Sequence, residues 1–173
     1  LRGADRSASG RVGARGAGGG EGLGRLAGEI VPVWRAQEKG DGLRLTDDEG
    51  PRPDSTLEAL AKLRPAFAEK GSVTAGNSSP LNDGASALVL MSEAEAKRRG
   101  LKPLARLVSA AAAGVHPDYM GIGPVPASMK ALDKAGLQAS DLVLVELNEA
   151  FSTQPLSCGR LLGLDEVKVN VNG

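Results

Sequence analysis

The sequence contains very few of the residues that build disulfides and metal sites. It has one cysteine, Cys158, and one histidine, His116, among 173 residues. A single cysteine excludes an internal disulfide, which fits a reducing compartment, and we expect a cytoplasmic protein. One cysteine and one histidine do not supply the four ligands of a usual Cys/His zinc site, so we expect no metal.

Aromatic residues, net charge and long apolar runs are also lacking. Aromatics make up 2% of the chain, so the core must be built from Leu, Val and Ala. Lys plus Arg equal Asp plus Glu at 21 each, which gives no electrostatic basis for binding nucleic acid or a membrane surface. No stretch approaches the about 20 apolar residues of a membrane helix, and the N-terminus lacks the apolar segment of a secretory signal. We expect neither a nucleic-acid partner nor a membrane partner.

Glycine, by contrast, is abundant, and ten of the 24 glycines lie within residues 1–28. This segment shows no periodic apolar pattern, so we interpret residues 1–23 as a disordered lead-in. Its "GAGGGEG" run follows no predicted strand and lacks the lysine of a P-loop, which argues against a phosphate-binding loop.

Beyond the lead-in, strand-like and helix-like patterns alternate, which indicates an α/β fold built in layers. Helices are predicted in "DSTLEALAKLRPAF", after Ser92, in "PASMKALDKAG" and in "FSTQPLSCGRLLG"; Ser55 with Glu58 and Ser92 with Glu95 have the capping-box spacing. Strands are predicted in "GEIVPVW", "SVTA", "ALVLMS", "LARLVSAAAAG", "DLVLVEL" and "VKVNVNG". The chain stops after the last of these without a covering helix, which suggests a truncated sequence.

Two polar segments are candidates for a ligand site. "TAGNSSPLNDGAS", from Thr74 to Ser86, is either a turn or a loop whose small residues let a ligand approach the backbone. Asn148 in "ELNEAF" follows a predicted strand, where ligands of α/β sheets gather, but it could equally cap the next helix. His116 lies in a Pro- and Gly-rich loop without a partner and is interpreted as a surface residue. Cys158 lies in a predicted helix and is interpreted as a small core residue.

Seven segments in order give the chain, from about residue 24 to residue 173, a resemblance to the thiolase family of acetyl-CoA C-acyltransferases. They are "EIVPV", "PRPDSTLEALAKLRPAF", "GSVTAGNSSPLNDGASALVLMS", "LARLVS", "MGIGPVPA", "ELNEAF" and "VNVNG". The resemblance implies a layered α-β-α-β-α fold of two similar domains, present here in part. Residues 24–100 would then be the end of the first domain and residues 101–173 the start of the second.

The resemblance also implies an activity: forming or cleaving a carbon–carbon bond between acyl-CoA thioesters, with no cofactor, in a homodimer or homotetramer. Asn148 matches the asparagine that holds a water in the family's oxyanion hole. Phe151 and Met120 match positions that line the substrate pocket. Ser79, with Ala75 nearby, matches the contact to the pantetheine arm. Arg52 falls where a family arginine meets the nucleotide end of coenzyme A.

The other catalytic groups of the family find no match in this sequence. These are a nucleophilic cysteine, a Gly-His-Pro histidine and a second cysteine; His116 and Cys158 align with none of them. We therefore expect the 173-residue chain to be inactive alone. The alternative function is that of a non-catalytic acyl-CoA-binding or assembly module. A sterol-carrier-type thiolase or a ketoacyl synthase fits less well, because these families carry other motifs where "NEAF" stands.

Overall fold

The structure is a computed structural model that describes residues 30–37, 40–46 and 55–171. The predicted lead-in of residues 1–23 lies outside these ranges. The described ranges include most of residues 24–100 and of residues 101–173, the segments that the resemblance assigns to different domains.

Short helices and turns dominate the described residues. Within the described ranges, the two strands are β1 (Val33–Arg35) and β2 (Leu43–Leu45), and the four α-helices are α1 (Leu57–Ala61), α2 (Glu93–Arg98), α3 (Pro124–Ala135) and α4 (Thr153–Leu162). The same ranges contain four 3₁₀ helices, which span Ala75–Asn77, Pro117–Ile122, Ala139–Asp141 and Glu166–Lys168. Strands β1 and β2 pair antiparallel with Trp34 opposite Arg44. The charged, turn-rich pattern around β2 does not predict this strand.

The N-terminal ends of α1 and α2 are fixed by hydroxyl caps. In α1 the cap is Thr56, whose Oγ1 accepts from the Ala59 N–H at 3.1 Å, so the prediction that Ser55 caps this helix is wrong by one residue. In α2 the predicted cap is confirmed, because Ser92 Oγ accepts from the Glu95 N–H at 3.2 Å. The Glu95 carboxylate does not return to Ser92, as a capping box requires; it accepts from the guanidinium groups of the last turn instead.

Helices α3 and α4 lie where the sequence predicts them. Each ends at a glycine in the left-handed region, Gly136 with φ 66° and Gly163 with φ 64°. Glycine adopts this conformation without the steric cost of a Cβ atom, and it is the usual way to stop a helix. Pro155 is the third residue of α4, so it lies in the first turn, where its missing N–H breaks no helical bond.

Most of the predicted strands are wrong for the described chain. The stretches 87–92 and 104–114 contain no strand, and 72–75, 141–147 and 167–171 contribute only single bridges, Pro65 with Thr74 and Val145 with Val169. A strand is defined by bonds to a neighbouring strand, and no described strand pairs with 87–92 or 104–114 to supply them. Apolar side chains in these stretches accordingly remain exposed, with Leu88 at 85% and Val89 at 86%.

The best-packed part of the molecule is formed by α3, α4 and the 3₁₀ helix Pro117–Ile122, which contact one another. Cys158 of α4 is fully buried there, and its Sγ donates to the Gly121 carbonyl at 3.3 Å. This small core fixes the position of α4, and residues 148–152 lead directly into α4. None of the helices in the described ranges has the length and apolar character needed to span a lipid bilayer.

Candidate functional site

The polar loop at residues 74–79 is held by its own side chains. The Thr74 N–H donates to Asn77 Oδ1 at 2.8 Å, and Asn77 Nδ2 donates to the Ser72 carbonyl at 2.9 Å. Ser78 Oγ donates to the Thr74 carbonyl at 2.7 Å. These bonds give the irregular segment a defined shape, although it belongs to no sheet. A loop that binds a ligand needs such a defined shape.

Gly76 allows this loop to lie directly on α1. A Cβ atom at Gly76 would meet Leu60 Cδ2 at 2.5 Å and Leu63 Cδ1 at 2.7 Å. A residue with a Cβ would require the ends of these two leucine side chains to shift, so glycine here allows a close approach. The loop therefore has a fixed position as well as a fixed shape.

The same loop pairs with the segment that carries the second candidate site. The Ser79 N–H donates to the Ala150 carbonyl at 3.0 Å, and the Ser152 N–H donates to the Asn77 carbonyl at 3.0 Å. Between these two bonds, Ser78 and Phe151 form an antiparallel bridge. The structure thus joins "GNSSP" to "NEAF", which lie about 70 residues apart in sequence.

Three of the predicted site residues lie at this junction. Ala75 and Ser79 are exposed on the loop, and Phe151 is half-buried on the facing segment. The Phe151 ring packs edge-on against the Phe67 ring, with centroids 6.4 Å apart and planes at 79°. This aromatic pair anchors Phe151 in place beside the loop.

Asn148 lies three residues before Phe151 and is exposed. Leu147 and Glu149 are half-buried while Asn148 is exposed, the alternation expected of extended backbone. Within the described ranges, no hydrogen bond engages its side chain. The cap interpretation of Asn148 is wrong, because α4 begins at Thr153 and its N-cap position is Ser152.

Asn170 is a functional candidate that sequence reasoning missed. It lies in "VKVNVNG", where a period-2 pattern predicts a plain strand, yet it is 8% exposed while Val167 is 72% exposed. Its side-chain amide bonds to Leu147 and Glu149, the two neighbours of Asn148. The available signal was the asparagine itself, since Asn tolerates the left-handed backbone that ends a regular strand.

A cavity lies on the Glu149 side of this segment, against α4. It is lined by Glu149, Ser152, Leu156, Arg160, Glu166 and Val169, among others. The Ser152 hydroxyl and Gln154 Oε1 are buried without a hydrogen-bond partner in the described structure. Glu149 thus lines this cavity, whereas Asn148 is exposed.

The remaining predicted site residues do not meet at the junction. Met120 is exposed on the 3₁₀ helix that packs against α4, so it lies on a neighbouring element. Arg52 lies outside the described residues. The described part of the chain holds no group of three His, Cys, Asp or Glu side chains arranged to bind a metal ion.

His116 and Cys158 have the non-catalytic environments that the sequence predicts. The His116 side chain is 68% exposed and its Nδ1 accepts from the Asp118 N–H at 3.3 Å, where it caps a 3₁₀ helix. Cys158 is buried, and this burial raises the pKa of its thiol, which disfavours the nucleophilic thiolate. Neither side chain is placed to supply a nucleophile or base beside Asn148.

Two family models match the chain in succession. The thiolase N-terminal domain matches residues 19–94, and the thiolase C-terminal domain matches residues 101–173. Among curated proteins, the chain is 57% identical over 150 residues to an acetyl-CoA acetyltransferase of Pseudomonas aeruginosa. It is also 57% identical over 146 residues to the beta-ketothiolase BktB of Cupriavidus necator. The matches cover 87% and 84% of this chain but only 38% and 37% of those relatives.

Solved structures show the same similarity in three dimensions. The Bacillus anthracis acetyl-CoA acetyltransferase superposes with a TM-score of 0.88 at 46% identity, over 100% of this chain and 43% of that one. Human mitochondrial 3-ketoacyl-CoA thiolase in complex with CoA gives a TM-score of 0.82 at 42% identity, over 98% of this chain and 41% of that one. The chain spans well under half the length of the proteins that it matches.

Proposed function

The chain belongs to the thiolase family, and we propose that it carries part of the acyl-CoA site of an enzyme that forms or cleaves carbon–carbon bonds between acyl-CoA thioesters. Condensation of two acetyl-CoA molecules to acetoacetyl-CoA and CoA, or thiolysis of a 3-ketoacyl-CoA, is the reaction class. The names of the relatives, acetyl-CoA acetyltransferase and beta-ketothiolase, support this class.

The observation that carries the proposal is the pairing of the 74–79 loop with residues 150–152. The two bonds of 3.0 Å, from Ser79 to Ala150 and from Ser152 to Asn77, join the segments matched by the two family models. The residues that the resemblance assigns to the pantetheine arm lie on one of these paired segments, and the oxyanion-hole residue Asn148 lies two residues before the other. A thioester held along the loop would have its carbonyl near Asn148.

Asn148 would act by holding a water molecule with its side-chain amide. During carbon–carbon bond formation, proton removal from an acyl-CoA places negative charge on the thioester oxygen. A positioned donor stabilises this charge more than it stabilises the neutral ground state, and so lowers the barrier. Because the Asn148 amide has no partner among the described residues, it is free for this task.

The other predicted contacts would bind the coenzyme A portion. Ser79 and Ala75 would contact the pantetheine arm from the loop, and Phe151 and Met120 would line the channel with apolar surface. Arg52 would meet the nucleotide end, where a guanidinium group grips phosphate in a fork and stacks on rings. No cofactor is part of this proposal, since the thioester itself activates the substrate.

The family's cysteine nucleophile, histidine and cysteine base have no match in this sequence, so the reaction would depend on groups from outside the 173 residues. We further propose that the active protein is a homodimer or homotetramer in the cytoplasm. The oligomeric state rests on the resemblance, and the cytoplasmic location rests on the single cysteine.

A chimera tests this function directly. Residues 24–173 of this chain replace the corresponding part of the Pseudomonas aeruginosa acetyl-CoA acetyltransferase, which supplies the remainder. We expect the chimera to convert acetyl-CoA to acetoacetyl-CoA and CoA, measured by CoA release. We expect Asn148→Ala to lower kcat by about 10²–10³-fold with little change in KM, because the lost donor acts on charge that develops in the transition state.

The matched control is Gln37→Ala, which removes an exposed amide of the same kind at a position without an assigned role. We expect it to leave kcat unchanged. A correctly folded chimera without activity would contradict the proposed function. An active chimera in which Asn148→Ala is as fast as the parent would contradict the role of Asn148.

A further inference from the structure

Asn170 ends a short parallel pairing between two segments near the site. The Val145 N–H donates to the Lys168 carbonyl at 2.9 Å, and the Asn170 N–H donates to the Val145 carbonyl at 2.9 Å. Val145 and Val169 form the parallel bridge. At Asn170 the backbone has φ 47°, in the left-handed region, which departs from the extended conformation of a strand.

Next to the backbone bonds of Val145, the side chain of Asn170 hydrogen-bonds to the backbone of Leu147. Its Oδ1 accepts from the Leu147 N–H at 2.8 Å, and its Nδ2 donates to the Leu147 carbonyl at 2.8 Å. The primary amide thus bonds both backbone groups of Leu147, as a peptide group of a neighbouring strand would. Residues 145 and 147 are held by one continuous set of four bonds, two from the backbone of 168–170 and two from a side chain.

A fifth bond extends this set beyond Leu147. The second hydrogen of Asn170 Nδ2 is directed to Glu149 Oε1 at 2.9 Å. Asn170 therefore bonds the residues on both sides of Asn148 and leaves Asn148 itself untouched. It is also 8% exposed, and a buried, fully bonded amide is costly to displace.

We propose that Asn170 is a positioning residue for Asn148. By fixing Leu147 and Glu149, it fixes the peptide that carries the Asn148 Cα and so the direction of the Asn148 amide. This inference rests on the proposed function of Asn148. It concerns a residue that the sequence resemblance places in a matched segment without assigning it a role.

Three substitutions test whether the side-chain hydrogen bonds of Asn170 are required, or only its left-handed backbone conformation. Asn170→Gly keeps a residue that adopts φ 47° readily but removes all three side-chain bonds. Asn170→Asp keeps the shape and the acceptor for the Leu147 N–H, yet sets a carboxylate against the Leu147 carbonyl and Glu149. Glu149→Gln keeps an Oε1 that accepts from Asn170 Nδ2, and it serves as the second change in a double variant.

Kinetics are measured in the chimera described above. We expect Asn170→Gly and Asn170→Asp each to lower kcat by about 10²-fold with KM nearly unchanged, since misplacing a transition-state donor by about 1 Å has an effect of this size. Gln37→Ala, the neutral control used above, should behave as the parent. The double variant Asn170→Asp with Glu149→Gln should recover part of the loss, because the amide introduced at position 149 can donate to the carboxylate introduced at position 170. Active-site titration expresses each kcat per folded site, so a merely less stable variant would show an unchanged value.

Hydrogen exchange at the Leu147 amide, followed by mass spectrometry in the same chimera, gives a readout independent of activity. We expect faster exchange in Asn170→Gly than in Asn170→Asp, because the aspartate keeps an oxygen that accepts from the Leu147 N–H and glycine does not. The proposal is overturned if Asn170→Gly retains parental kcat, or if exchange at Leu147 does not change. A folded chimera that is inactive while the exchange pattern holds would contradict the proposed function and leave the bonding of Asn170 to Leu147 and Glu149 intact.

Discussion

At the scale of single residues, chemically similar side chains have opposite environments. Asn148 is exposed and without a described partner, whereas Asn170 is buried and makes three side-chain hydrogen bonds. An amide aimed at solvent is available to a ligand, while an amide whose bonds are all made can only hold structure. The proposed roles of the two asparagines rest on this difference in hydrogen bonding.

Cys158 provides a test of the local environment at this scale. Burial raises the pKa of its thiol, so at neutral pH a smaller fraction is thiolate than in a free cysteine. We expect slow labelling by 5,5′-dithiobis(2-nitrobenzoate) in the native chain, with a rate that keeps rising beyond the ordinary thiol pKa, and complete labelling in guanidinium chloride.

The control is Ser157→Cys combined with Cys158→Ala, which moves the thiol by one residue to an exposed position. We expect this variant to label as fast as a small-molecule thiol. Equally fast labelling of native Cys158 would contradict its assignment as a core residue.

At the scale of elements, helices and strands differ in what they need. A helix closes its hydrogen bonds within one segment, so caps such as Ser92 and stops such as Gly136 set its ends locally. A strand needs a second segment, and in the described chain the apolar stretch 87–92 has none. The helical elements are therefore complete here, and most of the predicted strands are extended but unpaired.

Replacement by alanine is predicted to have opposite effects at Gly159, inside α4, and at Gly163, which ends it. Gly159 lies inside the helix, and a Cβ there would meet no atom within 4 Å, so Gly159→Ala should stabilise by about 1 kcal/mol. Gly163 has φ 64° in similarly open space, so Gly163→Ala should destabilise by about 1 kcal/mol through backbone strain alone. The midpoint of thermal unfolding of the chimera should rise for the first variant and fall for the second. Shifts of the same sign would contradict the assigned end of α4.

At the scale of the whole molecule, structural similarity to thiolases confirms the predicted thiolase-like fold, with TM-scores of 0.82 to 0.88. The predicted boundaries at residues 23 and 100 stay predictions. Large apolar side chains are exposed along the unpaired stretches: Leu88, Val89, Leu90, Leu104, Leu107, Val108 and Val143. Contiguous apolar surface and unpaired backbone favour association with other chains.

We expect the 173-residue chain alone to associate and to have no thiolase activity. In size-exclusion chromatography with light scattering it should elute well above its 17.6 kDa mass, and it should release no CoA from acetyl-CoA. The chimera is the control, because the remainder of its chain can cover the unpaired stretches. A monomeric peak with a cooperative thermal transition, or turnover of acetyl-CoA by the chain alone, would contradict this expectation.

The sequence by itself determined the family, the four helices and the environments of His116 and Cys158. These depend on local patterns: ordered motifs, capping residues, helix-stopping glycines and the absence of partners in sequence. It also singled out Asn148, although it left the choice between a cap and a ligand-binding role open.

Only the tertiary structure showed that Ser152, and not Asn148, occupies the N-cap position of α4, and which residues surround Asn148. The pairing of residues 77–79 with 150–152, and the side-chain bonds of Asn170 to Leu147 and Glu149, join segments about 70 and about 20 residues apart. Such contacts are set by how distant segments pack, which no local pattern encodes. For the same reason the alternation in "VKVNVNG" predicts a strand, whereas packing buries Asn170 and leaves Val167 exposed.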